Sequence, residues 1–139
     1  MDSLLAFGRQ ALAAQPFSQL VGAELTAFGA DGAELRVVVT HSLLQQHGFV
    51  HGGVLAYLAD NTLTFAGGGA LGSAVVTSEF KINYLRPAKG DALVARARVL
   101  SAGKTQAVCR CDIFAIDGDE EKLCAAAQGT ISKMGGAEG

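Results

Sequence analysis

The sequence predicts an α+β domain in which a long antiparallel β-sheet wraps around one central apolar helix. The first observation is the segment from Val54 to Leu71, which contains no Lys, Arg, Glu or His and one carboxylate, Asp60. A helix that is apolar on every side is normally buried. The second observation is that about six strand-like segments are joined mostly by short turns, which favours antiparallel pairing. Such a sheet must cover its apolar face, and this helix is the only segment large enough to do so.

The composition fits one domain over residues 1–139 and argues against several functions. Half of the residues are hydrophobic and 17% are charged, so disorder is not expected. The formal net charge is −2 and the basic residues are scattered, so neither nucleic acid nor an anionic membrane is an expected partner. The N-terminus lacks the features of a signal peptide, and polar residues interrupt the long apolar segment. We therefore expect a cytoplasmic protein.

The N-terminal half is expected to contain two helices and one hairpin. Residues 1–16 form a leader helix, which Pro16 ends. Strands over 21–28 and 33–40 flank a turn rich in glycine and aspartate. After a connector at 41–50, the apolar helix begins near Gly52 and is expected to end at 65 or 66. The three glycines that follow are typical of helix C-caps.

The C-terminal half is expected to consist of strands bounded by turns, followed by a tail at 134–139. In the first of these strands, Phe80 and Ile82 face one side, and simple alternation puts Thr77 on the opposite side. The four segments are 74–85, 92–100, 105–116 and 122–133.

The cysteines and histidines do not form a metal-binding pattern. His47 and His51 are four residues apart, but a glycine turn separates them and no Cys or Glu completes a ligand set nearby. The three cysteines form no Cys-x-x-Cys pair and are expected to be small buried hydrophobic residues.

Three short motifs carry a family resemblance: Gly48-Phe-Val-His-Gly-Gly53, Leu58-Ala-Asp60 and Asn83-Tyr-Leu-Arg-Pro87. Together they resemble the hotdog-fold acyl-CoA thioesterases, especially the phenylacetate-pathway (PaaI-type) and 4-hydroxybenzoyl-CoA group, over most of the chain. The resemblance implies side-by-side dimers, which often form tetramers. It also implies hydrolysis of an acyl-CoA to free acid and CoA. Coenzyme A then arrives as part of the substrate, and no cofactor is expected.

Thioester hydrolysis needs a base or nucleophile and a donor for the negative charge that develops on the carbonyl oxygen. Asp60 is expected to be the base or the nucleophile, and the sequence leaves both routes open. A backbone N–H at a helix N-terminus supplies such a donor, and glycine lets a carbonyl approach it closely. The resemblance assigns this donor to Gly52, with His51 orienting the turn.

The spacing of these two residues predicts where the site lies. Asp60 is eight residues beyond Gly52, so the two are about 12 Å apart along one helix. That distance is too long for both to act on one carbonyl. We therefore expect a site between two copies of the chain, with their central helices antiparallel, and the resemblance implies the same arrangement.

Further site residues follow from the resemblance. Gln45 stands where many members have an asparagine and is expected to orient the carbonyl. Thr77 matches a Ser/Thr that helps to hold the attacking water. Contacts with the substrate are expected from Gly53, Thr64, Asn83, Arg86 and Lys104. Arg86, Lys104 and Arg110 are candidates for binding CoA phosphates, although solvated surface charge is the alternative interpretation for each of them.

Other interpretations stay open. The same fold hosts hydratases and dehydratases, in which His51 and Asp60 would move a proton on an enoyl or hydroxyacyl chain. A non-catalytic acyl-CoA-binding protein is a third function. Asp60 alone could also be a structural carboxylate satisfied by Asn61, Thr64 or the backbone. A saturated acyl-CoA discriminates among the functions, because only a thioesterase releases CoA thiol from it.

Overall fold

A computed structural model describes residues 3–72 and 74–135 of the chain. The outer parts of the predicted leader and tail, residues 1–2 and 136–139, lie outside the described residues. The elements are α1 Ser3–Ala13, α2 Pro16–Val21, β1 Ala23–Gly29, β2 Gly32–Val38, a 3₁₀ turn at His41–Leu43, α3 Gly52–Leu71, β3 Val75–Tyr84, β4 Ala92–Ala102, β5 Gln106–Asp117 and β6 Glu120–Lys133.

The strands form one antiparallel sheet that curves around α3. Their order across the sheet is β1-β2-β4-β5-β6-β3, so β3 is an edge strand. The helix contacts every strand, and alternate residues of the central strands face it. Leu58 and Leu63 of α3 are fully buried, as are Leu93 of β4 and Ile113 of β5. This arrangement confirms the predicted sheet around a central helix.

The central helix is longer than the sequence predicts. It continues through Gly67–Gly69 to Leu71, and its C-cap is Gly72, which has a φ of 68°. A Cβ atom on Gly67 would lie 2.5 Å from the side chain of Ile131, so this glycine lets the helix pack closely against β6. The predicted end at residue 65 or 66 was therefore wrong, because glycine inside a helix can serve close packing instead of termination. Even so, no helix among the described residues is long and apolar enough to cross a membrane.

Pro16 begins a helix that the sequence did not predict. The leader helix α1 ends at Ala13, and Pro16 is the first residue of the short helix α2. Proline suits this position because its φ is already helical and the first N–H of a helix needs no partner.

A β-bulge in β3 changes which way Thr77 points. The pairing of β3 with β6 shifts between Thr77 and Glu79, so Ser78 is an extra residue. A bulge of one residue reverses the alternation of side chains along the strand. Thr77, Phe80 and Ile82 are consequently all half-buried on the side of α3. The prediction that Thr77 faces away from Phe80 and Ile82 was wrong for this reason.

The three cysteines lie buried between sheet and helix, as predicted, and all have free thiols. Burial raises the pKa of Cys111 to about 12 and that of Cys124 to about 11. Within residues 3–72 and 74–135, no three His, Cys, Asp or Glu side chains are grouped so that they could hold a metal ion.

Candidate active site

Asp60 lies midway along α3, half-buried, on the side of the helix that faces β3. Its Oδ1 accepts a hydrogen bond of 2.6 Å from Thr77 Oγ1. Thr77 Oγ1 is also 2.8 Å from Thr64 Oγ1, and Thr64 donates to the Asp60 carbonyl at 2.7 Å. We call Asp60, Thr64 and Thr77 the Asp60 cluster. Among the described residues Asp60 Oδ2 has no hydrogen-bond partner, so it is open to a water molecule or a substrate.

The Asp60 cluster opens onto a cavity of about 590 Å³ that is also bordered by α2 and the residues before it. This volume is within the range of about 300–1,000 Å³ that is typical of small-molecule sites. Asp60 is half-buried, is fixed by a single hydroxyl group and borders this cavity. These properties suit its carboxylate to act as a base or a nucleophile.

A second polar network holds α2 against α3 beside Asp60. No hydrogen bond joins Asn61 to the Asp60 carboxylate; Asn61 Nδ2 donates instead to Tyr57 Oη at 3.0 Å and to Gln15 Oε1 at 3.1 Å. Ser18, which is only 1% exposed, donates to Gln15 Oε1 and accepts from Tyr57 Oη, both at 2.6 Å. Burial raises the pKa of Tyr57, although its hydrogen bonds with Ser18 and Asn61 act in the opposite direction.

Sequence reasoning missed this network because it depends on the packing of α2, which was not predicted. One signal was available: Tyr57 and Asn61 are four residues apart, and therefore neighbours, on a helix that is otherwise almost entirely apolar.

The N-terminus of α3 presents an unpaired backbone donor. His51 is the N-cap, and its Nδ1 accepts a hydrogen bond of 2.8 Å from the Gly53 N–H. The Val54 N–H donates to the His51 carbonyl at 2.9 Å. The Gly52 N–H has no acceptor in the described part of the chain. It lies at the positive end of the helix dipole, where a developing negative charge is stabilised.

The two glycines at this turn have different physical explanations. A Cβ atom on Gly53 would lie 2.9 Å from His51 Nδ1, so the His51 cap requires glycine there. A Cβ atom on Gly52 would only touch the Tyr84 ring at 3.5 Å, which is an ordinary contact. Packing within one chain therefore does not require glycine at position 52. Tyr84 Oη donates to the Gly52 carbonyl at 3.1 Å.

Gln45 and Arg86 line a cavity of about 410 Å³ together with Gly52. The side chain of Gln45 accepts a hydrogen bond from the His47 backbone N–H and so stabilises the turn before α3. Arg86 is exposed just after β3. We call Gln45, His51, Gly52, Gly53 and Arg86 the Gly52 cluster.

The remaining two predicted residues lie apart from both clusters. Asn83 is exposed on β3 and borders a separate cavity of about 470 Å³ on the sheet, together with Glu79, Lys81 and Arg110. Lys104 is exposed in the turn between β4 and β5. The structure thus gathers eight of the ten predicted residues into two clusters, at separate places along α3.

Comparisons with known proteins agree on one family. A model described as the thioesterase superfamily matches residues 47–122. The acyl-coenzyme A thioesterase PaaI of Escherichia coli is 31% identical over 120 residues, which cover 86% of this chain and 83% of PaaI. A solved thioesterase of Haemophilus influenzae has a TM-score of 0.81 at 33% identity, covering 92% of this chain and 88% of that one. The structure of E. coli PaaI, from the phenylacetic acid degradation operon, has a TM-score of 0.83 at 27% identity and covers 95% and 94% of the two chains.

Proposed function

Because the chain belongs to the thioesterase superfamily and is a thioester hydrolase with the hotdog fold, we propose that it hydrolyses an acyl-CoA at a site shared by two copies of the chain. One observation carries the proposal. The open oxygen of Asp60 and the unpaired N–H of Gly52 are the two groups that the reaction needs, yet they are about 12 Å apart on one helix. Each copy therefore supplies half of each site.

The position of β3 supports this pairing. The strand is ten residues long and is paired with β6 on one side only, so its other edge is a template for a second strand. Its Thr77 contacts Asp60, and its Tyr84 contacts Gly52. If two copies of β3 pair in antiparallel fashion around a two-fold axis near Lys81, Thr77 of one copy lies opposite Tyr84 of the other. Asp60 of one copy then approaches Gly52 of the second.

The chemistry in such a site assigns a role to each group. The thioester carbonyl accepts the hydrogen bond of the Gly52 N–H, which stabilises the negative charge that develops on its oxygen. Asp60 either removes a proton from water as the water attacks the carbonyl carbon or attacks that carbon itself. In both cases water adds a hydroxyl group to the acyl carbon, the C–S bond breaks, and the CoA sulfur receives a proton. Thr77 is a positioning residue that fixes Asp60 Oδ1.

Replacement of Thr77 by Val should lower kcat by about tenfold, because the hydroxyl that fixes the Asp60 carboxylate is lost while the volume is kept. The matched control is Thr77→Ser, which retains the hydroxyl and should remain within about threefold of the parent. Initial rates of CoA release at saturating substrate give kcat for both variants. Equal activity of the Val and Ser variants would show that the hydrogen bond does not position Asp60.

The proposed reaction is tested with purified protein and saturated acyl-CoAs, detecting the CoA thiol. Benzoyl-, acetyl-, octanoyl- and palmitoyl-CoA cover aryl, short, medium and long acyl groups. Release of thiol from at least one of them is the expected result. Binding without release would favour the non-catalytic acyl-CoA-binding function, and conversion of an enoyl-CoA without thiol release would favour the hydratase. Two copies of the chain are enough to form the proposed site. A tetramer and a cytoplasmic location stay predictions.

A further inference from the structure

A second cavity lies beside the Asp60 cluster, within the same chain. It has a volume of about 490 Å³, is partly open to solvent, and is lined by α1, the C-terminal half of α3 and the ends of β1 and β3. Gln15, Asn61 and Thr64 line both this cavity and the one that contains Asp60. The two spaces therefore meet at Thr64, whose hydroxyl is 2.8 Å from the Thr77 hydroxyl that holds Asp60.

The lining of this cavity is mostly apolar, and the described residues that form it include no charged side chain. Phe28 of β1 and Phe65 of α3 meet edge to face, with ring centroids 5.4 Å apart. Gly68 and Gly69 of α3 add stretches of bare backbone to the wall. Its polar residues, Gln15, Asn61 and Thr64, are those shared with the Asp60 cavity. The space therefore suits an apolar group that enters from the side of Asp60.

The volume limits the size of that group. An apolar cavity of about 150 Å³ is large enough to bind benzene. The cavity beneath α1 is about three times that size, so it can accept an aromatic ring or an alkyl chain of medium length. A charged acyl group would lose its hydration there and find no partner of opposite charge.

We propose that this cavity binds the acyl group of the substrate, and that α1 sets the acyl specificity. The inference rests on the proposed function, since it requires the thioester carbon to lie next to Asp60. The acyl group then extends beneath α1 of the copy that supplies Asp60. The CoA portion extends the other way, toward the Gly52 cluster of the second copy, where Arg86 is exposed.

Filling the cavity tests this assignment. Ala11 is half-buried on α1 and lines the cavity, so Ala11→Phe should occupy much of it. We expect kcat/KM for benzoyl- and octanoyl-CoA to fall by about tenfold or more, a change of about 1.4 kcal/mol or more, while that for acetyl-CoA changes by less than about threefold. The matched control is Ala13→Phe on the exposed side of the same helix, which should leave all three values unchanged. An equal change for all three substrates in folded Ala11→Phe would overturn the proposal.

Because a larger side chain can distort the fold, a second variant tests the same cavity by removing a side chain. Phe7 lines the cavity but is 67% exposed, so Phe7→Ala removes part of the wall with little loss of buried packing. It should weaken the hydrolysis of octanoyl-CoA by about threefold to tenfold relative to acetyl-CoA. No change in this ratio would contradict the assignment of the cavity.

A binding measurement separates this inference from the proposed hydrolysis. The probe is a non-hydrolysable thioether analogue of octanoyl-CoA, titrated into the wild-type protein and into Ala11→Phe by calorimetry. If no acyl-CoA is hydrolysed but the analogue binds and Ala11→Phe weakens that binding by about tenfold, the cavity assignment stands and the hydrolase function fails. If hydrolysis depends on Asp60 but Ala11→Phe binds the analogue as tightly as the wild type, the function stands and the cavity assignment fails.

Discussion

Asp60→Asn should lower kcat for acyl-CoA hydrolysis by about 10³-fold, within the range that is typical for loss of a general base. The amide can neither accept a proton from water nor form the acyl bond. It still offers Oδ1 to the Thr77 hydroxyl, so the local hydrogen bonding of α3 and β3 is preserved. Initial rates at saturating substrate give kcat, and thermal unfolding monitored by circular dichroism shows whether the fold is kept.

The matched control is Asp119→Asn, which removes a carboxylate from the exposed turn between β5 and β6. It should behave like the parent. A loss of less than about tenfold in Asp60→Asn would mean that Asp60 is a structural carboxylate after all.

Gly52→Pro should lower kcat by about 10²- to 10³-fold, because it deletes the N–H that stabilises the carbonyl oxygen. Proline is well tolerated at the first position of a helix. The preceding residue, His51, already has the extended conformation that proline requires, with φ −59° and ψ 136°. The substitution therefore removes one hydrogen-bond donor and little else. Measuring kcat and the melting temperature of the variant checks both points.

Gly52→Ala separates the effect of the missing N–H from that of the added atoms. It keeps the N–H, and its Cβ would only contact the Tyr84 ring at an ordinary distance of 3.5 Å. We expect Gly52→Ala to retain most of the activity in the folded protein. If it were as inactive as Gly52→Pro, crowding of the substrate rather than loss of the donor would be the cause.

The candidate site was predictable where it depends on local chemistry. A glycine turn that begins an apolar helix indicates an accessible backbone N–H. A single carboxylate within that helix indicates a side chain with a functional role. The length of helix between Gly52 and Asp60 then predicts, from geometry alone, a site shared by two copies of the chain. These three steps need only the helical rise and the location of two residue types.

The features that sequence reasoning missed all depend on partners that are distant in the chain. Gly67 looks like a helix end until Ile131 of β6 is placed against it. The direction of Thr77 depends on a bulge that exists only relative to β6. Ser18 becomes a buried hydrogen-bond partner only when α2 packs on α3. In each case the local sequence is compatible with two local structures, and tertiary packing selects one of them.

The same reasoning explains why α1 could be predicted as a helix but not as part of a binding site. Its composition indicates a helix that lies on the domain. Only the packed structure shows that Phe7 and Ala11 line a cavity beside Asp60.

The central claim, that Asp60 of one copy acts with Gly52 of another, is tested most directly by mixing two inactive variants. Asp60→Asn and Gly52→Pro are coexpressed with different affinity tags, and the doubly tagged assemblies are isolated by two successive purifications. In a two-fold dimer of this kind, one site carries both substitutions and the other is intact. The account predicts that the mixed dimer regains about half of the wild-type activity per dimer. Activity no higher than that of the two parent variants, in assemblies shown to contain both chains, would contradict it.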